Sequence, residues 1–238
     1  MLMIRFTFLY SLTAVVYANT EKSIFLGPPP ASIPLSHPTL DNLHVDILTP
    51  TNGAIRTHVE AQFPNISSPH GKATWLVLDD LTEGQRYEVR VCWAATQPTD
   101  FKINIHELQT LLEVPELLSG LSEYSQSRRS PAGDPRLRSR PTTVTQTLRS
   151  GREASVLFLQ ILAAADYYTM DKSLMRNVPP VYVDIILDPF VFGVLPQSLL
   201  PTVGYIAVVA VASWFIAQYI SIRIRNLAAE TMPEKKIQ

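Results

Sequence analysis

Two hydrophobic patterns divide this chain. Between Arg86 and Ile105 apolar and polar residues alternate: Tyr87, Val89, Val91 and Trp93 interleave with Arg86, Glu88, Arg90 and Cys92, and Phe101, Ile103 and Ile105 with Lys102, Asn104 and His106. A period of two puts one set on each face of a strand, which predicts a β-hairpin turning through Ala94 to Thr99, with one apolar face. Further strands are expected from Leu43 to Leu48, Ile55 to Phe63, Thr74 to Leu78, Ser155 to Tyr168 and Val181 to Leu187. The run from Ser155 to Tyr168 would also make a good helix through its alanines, but flanking β-branched and aromatic residues favour strand. Leu108 to Tyr124 has leucines at helical spacing, a short helix.

From Val203 to Ile222 the alternation disappears and the chain is apolar throughout. About 20 such residues at ~1.5 Å rise cover the ~30 Å hydrocarbon core of a bilayer, with every backbone group bonded inside the helix. Pro201 closes the preceding segment, Tyr205 and Tyr219 stand near the two ends, and Arg223 and Arg225 follow, which predicts a span over 201–222 with residues 223–238 as a cytosolic tail. At the other terminus one positive charge (Arg5), an apolar stretch from Phe6 to Val16 and the small Ala18 outline a cleavable secretory signal over 1–18. A retained first anchor is the alternative. Together they predict a single-pass type I protein whose residues 19–200 are lumenal.

The stretch Leu81-Thr82-Glu83-Gly84-Gln85-Arg86-Tyr87 resembles the tyrosine corner of immunoglobulin and fibronectin type III sandwiches, in which the ring packs inward and the hydroxyl bonds upstream backbone. The fold class is accordingly mostly β: a lumenal sandwich of that type carrying one C-terminal transmembrane helix. Residues 125–152, with Arg128, Arg129, Arg136, Arg138, Arg140, Arg149 and Arg152 against the single acid Asp134, have too little apolar surface to order themselves and read as a disordered insertion.

Composition adds limits more than assignments. A formal charge of −1 over 238 residues points to no polyanionic partner, and a lumenal insertion would not meet nucleic acid. The single cysteine, Cys92, allows no internal disulfide, so the core alone must hold the fold. His37, His44, His58, His70 and His106 are scattered without zinc spacing, no nucleophile elbow or phosphate-cradling loop is present, and Asp79-Asp80 reads as a turn. No catalytic residue, metal site or cofactor is expected.

Three features remain. Asn65-Ile66-Ser67, in a Pro/Ser-rich turn, is a glycosylation acceptor in a lumenal domain. Lys235 and Lys236, fourth and third from the carboxyl end, match the dilysine signal by which coatomer retrieves endoplasmic reticulum membrane proteins. Gly204, Ala207, Ala210, Ser213 and Ala217, with Gln218, fall within half the circumference of the span, a face for another helix.

Three stretches resemble one family: Ala18 to Pro28; Arg86 to Trp93 with Gln97 to Phe101; and Val183 to Phe190 leading to Leu195-Pro196 and Leu199-Leu200-Pro201. They look like the fungal GPI mannosyltransferase II co-activators. The resemblance implies an accessory subunit in the endoplasmic reticulum membrane, bound to a polytopic catalytic mannosyltransferase that adds the second mannose to the GPI precursor. It brings no catalytic residues with it. An ER–Golgi cargo receptor, or a sandwich subunit of a membrane-protein insertion complex, would share the same topology.

Overall fold

The computed structural model describes residues 19–32, 44–129 and 153–231. The secretory signal, His37, Leu43, residues 130–152 of the arginine-rich stretch, and Lys235 and Lys236 lie outside them. The chain falls into two compact units divided between Phe190 and Val191.

The first unit holds two sheets. One orders β1 (Thr20–Leu26), β6 (Arg86–Trp93), β10 (Val181–Val191) and β4 (Ala54–Val59), each neighbouring pair antiparallel. The other orders β3 (Asp46–Leu48), β5 (Lys72–Leu78), β9 (Leu157–Ala165) and β7 (Thr99–Glu107), with β3 and β5 parallel and the rest antiparallel. A two-residue ladder joins β2 (Ala31–Ser32) to β8 (Glu153–Ala154). One core lies between the main sheets. Tyr87, Val89 and Val91 of β6 and Val181, Val183, Ile185 and Leu187 of β10 meet Leu76 and Leu78 of β5 and Leu157, Leu159, Ile161 and Ala163 of β9. Each large aliphatic side chain withdrawn there contributes about 1.5–3 kcal/mol.

The expected hairpin is not formed. β6 and β7 carry the predicted alternation, but β6 pairs with β1 and β10 whereas β7 pairs with β9 in the other sheet. The connection between Trp93 and Thr99 therefore crosses from one sheet to the other. Alternation specifies which side chains face the core and is silent on the hydrogen-bonding partner. Facing each other across the core, the two apolar sides bring Trp93 and Phe101 to 4.6 Å between ring centroids.

Ser155 to Tyr168 is a strand between Leu157 and Ala165, in the middle of its sheet between β5 and β7. Its near-continuous apolar run follows from being covered on both sides. Leu157, Leu159 and Ile161 face the other sheet, while Phe158 points outward with Trp75 and Val77 into a second cluster. Two helices close that outer side: α1 (Leu108–Glu113) contributes Leu111, and α2 (Pro115–Arg129) contributes Leu121. At Gly120 α2 packs over the indole of Trp75, at a distance where a Cβ would make an ordinary contact. Because α2 runs through Arg129, residues 125–129 of the expected disordered insertion are helical instead. Ser125 is buried, and Arg128 donates to Asp46 Oδ2 at 2.8 Å and to the Tyr124 hydroxyl at 2.9 Å, pinning the last turn. A short helix, α3 (Lys172–Arg176), capped by the Asp171 carboxylate accepting from Ser173 N–H, precedes β10.

Asp79-Asp80 forms a turn. Asp79 Oδ1 accepts from Asp80 N–H at 2.7 Å, and Asp80 takes a left-handed φ of 58° that Asp tolerates better than most residues. The Tyr87 ring is buried and stacked on Phe25, and its hydroxyl accepts from Thr82 N–H at 2.9 Å.

The second unit is dominated by α4 (Leu200–Thr231). Pro201 falls in its first turn, where a missing N–H has no partner to lose. Residues Gln197–Leu227 make a segment long and apolar enough to cross a membrane, one such among the described residues.

Candidate functional site

Parts of the three stretches behind the family resemblance are far apart in sequence and adjacent in space. Thr20 to Leu26 runs antiparallel to Cys92 back to Arg86, and Arg86 to Trp93 lies antiparallel to Val183–Pro189, so these parts form the neighbouring strands β1, β6 and β10. Gln97 to Phe101 instead leads into β7 of the other sheet, and Leu195-Pro196 and Leu199 to Pro201 fall in the second unit. Their inward residues build the core, and their outward residues form an exterior sheet face.

That outward face is charged, and in part buried. In register, Glu88 of β6 stands directly opposite Asp188 of β10, each only 4% exposed. Two carboxylates facing each other across a ladder repel. Arg90, two residues further along β6, reaches both: its guanidinium lies 3.5 Å from Glu88 Oε1 and 3.5 Å from Asp188 Oδ2. From the edge strand, Lys22 Nζ adds an ion pair to Glu88 Oε2 at 3.3 Å. On the opposite side of β10, Asp184 accepts two parallel hydrogen bonds from Arg56 of β4, at 2.6 and 2.7 Å. The Arg56 hydrogen bond holds the Asp184 carboxyl below the ordinary carboxylate range, and the same contact raises the arginine. Arg56 also stacks 5.8 Å over Tyr182, whose ring meets His58 at 4.9 Å. Along the free edge Ile24 and Leu26 are exposed.

The result is a row of paired charges of both signs across four strands, Lys22, Glu88, Arg90, Asp188, Asp184 and Arg56. Buried ion pairs of this kind tend to fix geometry more than they add stability. The carboxylates are occupied by guanidinium and ammonium groups, and among the described residues no cluster of His, Cys, Asp and Glu is arranged to hold a metal ion. The signal was present in the sequence: Arg86, Glu88 and Arg90 on one strand, Asp184 and Asp188 on another, each at spacings that keep them on one face.

Where β10 begins, a cleft of about 280 Å³ is lined by Thr96, Gln97, Pro98, Tyr167, Leu174 and Val178 among others. Its lining has hydroxyls and an amide, with no carboxylate or imidazole. Gln97 is committed to backbone, donating to Pro180 O at 3.1 Å and accepting from Tyr182 N–H at 3.0 Å.

The residues singled out from sequence are dispersed. Asn65 is exposed in a closed turn, its Oδ1 accepting from Ser68 N–H at 2.7 Å and from the Ser67 hydroxyl at 2.8 Å. Gly204, Ala207, Ala210, Ser213, Ala217 and Gln218 are all exposed on α4, and a Cβ on Gly204 would meet nothing within 4 Å. At the far end of the apolar run Arg223 Nε donates to the Tyr219 hydroxyl at 3.1 Å with its guanidinium over the ring, an i, i+4 pair suited to a headgroup layer. Cys92, half-buried on the outward face, accepts a 3.5 Å contact from the Thr20 hydroxyl.

Comparison with known proteins adds the following. A family profile described as "GPI-Mannosyltransferase II co-activator" matches residues 9–220. A GPI mannosyltransferase 2 subunit of Schizosaccharomyces pombe is 38% identical over 45 residues, 19% of this chain and 25% of the relative. That alignment thus spans about a quarter of the relative's length. No solved structure matches.

Proposed function

The chain belongs to the family of GPI-mannosyltransferase II co-activators, and from that premise we propose that it is a non-catalytic accessory subunit of the endoplasmic reticulum enzyme that adds the second mannose during GPI-anchor synthesis. A co-activator implies a catalytic partner. Transfer from a lipid-linked sugar needs acids held inside a cavity of several helices, which α4, the one span among the described residues, cannot build by itself. The partner in this reading is a polytopic mannosyltransferase.

The observation that carries the reading is that the longest parts of the three family-like stretches pair side by side as β1, β6 and β10. Their outward charges would be the surface that meets the lumenal loops of the catalytic subunit, with fixed ions of both signs setting register and excluding wrong partners. In the membrane, Gly204, Ala207, Ala210, Ser213 and Ala217 would admit a partner helix at close range, and Gln218 would find a hydrogen bond there. The topology proposed is type I: signal removed after residue 18, sheets in the lumen, Asn65 glycosylated, and Lys235 and Lys236 read by coatomer on the cytosolic side. The Tyr87 corner supports grouping the sheets with immunoglobulin and fibronectin III sandwiches, although the parallel β3–β5 pair and the helical cover are departures from that pattern.

Depletion followed by lipid profiling tests the role. Accumulation of a GPI precursor bearing one mannose is expected, together with co-purification of a mannosyltransferase on the tagged chain from detergent. Normal GPI lipids with a trafficking defect would overturn the reading in favour of a cargo receptor.

A further inference from the structure

Beyond β10 the chain turns at Phe192-Gly193, with Val194 N–H donating to Val191 O at 3.2 Å. Both central residues have positive φ, 54° for Phe192 and 69° for Gly193. A two-residue turn of this kind favours Asn-Gly or Asp-Gly, because a bulky L-residue is disfavoured in the left-handed region. Here a phenylalanine occupies that position with its ring 98% exposed, and Val194 beside it is 80% exposed. A Cβ on Gly193 would meet nothing within 4 Å, so this side of the turn is open. Among the described residues nothing covers this ring, so the strained turn holds it in water.

The following residues indicate where that ring belongs. The segment passes through Leu195-Pro196 and a single 3-10 turn, Gln197–Leu199, into α4. At ~1.5 Å per residue, the 32 residues of α4 reach roughly 48 Å, enough for the ~30 Å hydrocarbon core and both headgroup layers. With the apolar run from Val203 in hydrocarbon, Leu200 falls in the first headgroup layer, and Phe192 is tied to it by at most roughly 26–29 Å of chain. We propose that the Phe192–Val194 tip is a second membrane contact, inserting its two apolar side chains into the headgroup layer beside the span. One helix alone is free to turn about its own axis; a second point of insertion beside it would restrict that rotation.

This rests on the reading that α4 crosses the bilayer, and the test separates the two. In the full chain with Cys92→Ser, single cysteines at Phe192→Cys and, keeping the phenylalanine, at Val194→Cys are labelled with an environment-sensitive fluorophore. The labelled chains are then reconstituted into phosphatidylcholine liposomes. Ala212→Cys serves as the mid-span reference. Ile66→Cys, equally exposed but near the end of the sheets where β10 begins, serves as the water reference. Expected are blue-shifted, several-fold brighter emissions at 192 and 194, most of them removed by lipids with a quencher near the headgroup and less by one at the chain end. Water-like emission at both sites while the 212 label is lipid-quenched overturns this proposal alone. A blue shift that no lipid quencher reaches means burial in protein and overturns it too. Water-like emission at 212 sinks the spanning premise and the proposal together.

Discussion

Removing one oxygen atom tests how the two sheets are tied. Tyr87→Phe keeps the ring in the core and its stacking on Phe25, and deletes only the hydroxyl that accepts from Thr82 N–H at 2.9 Å. That bond closes a small knot. Gln85 N–H donates to Thr82 O, Gly27 N–H to Gln85 O and Gly84 N–H to Gly27 O, so the end of β1, the loop and the start of β6 are held as one. Gly27 is required there, since a Cβ would lie 2.1 Å from Thr82 O. Leaving a part-buried N–H without its acceptor costs about 1–2 kcal/mol, and because Thr82 is otherwise exposed the lower figure applies. For a domain of this size ~1 kcal/mol corresponds to a melting-point fall of roughly 2–4 °C, whereas Tyr87→Ala, which also empties the ring's place, should cost about 3–5 kcal/mol. Thermal unfolding of the purified full chain in mild detergent, followed by emission of the buried Trp75, reads both. If Tyr87→Phe melts with the parent, water replaces the hydroxyl and the corner is not a brace.

Other outcomes follow from the same geometry. Gly71→Ala should prevent folding, since φ is +82° and the new Cβ would sit 1.9 Å from Ala163 O; Gly84→Ala, at φ +71° in open space, should cost only about 1 kcal/mol, and expression with protease resistance will separate them. Arg90→Met leaves Glu88 and Asp188 facing each other without their shared cation and should destabilise by about 2–3 kcal/mol in denaturant titration, a loss Arg90→Lys only partly repairs because one ammonium cannot fork to both. Asp184 has its folded pKa lowered, so its contribution is fully present above the unfolded value of about 4 and fades as pH falls below it. Asp184→Asn should therefore flatten that acid limb of the stability curve and leave the neutral region nearly parallel to the parent. Asn65→Gln should abolish one glycan-sized mobility step on a gel without changing the melting point, because the side chain is exposed and bonds only within its own turn.

What could be read from the chain alone was local. Alternation identified β6 and β7 and their inward faces, because side-chain direction along a strand depends on nothing but parity. The apolar stretch of α4 was equally plain, since length and hydrophobicity suffice to recognise a segment able to cross a bilayer. The Tyr87 corner was legible because its partners lie within five residues. Partner choice was not local. Whether Trp93 and Phe101 belong to one sheet or to two depends on which strands compete for each edge, and β6 is claimed by β1 and β10 from opposite ends of the sequence. Thr20 to Leu26 carries no strong strand pattern, with most of its side chains exposed, and becomes a strand because β6 offers it an open edge. Ser155 to Tyr168 leaned towards strand from its flanking residues alone, but only the structure explains its apolar run, by covering its second face with helices. The charged face followed the same rule: Glu88 and Asp188, a hundred residues apart, repel and need Arg90 only because tertiary pairing sets them opposite one another.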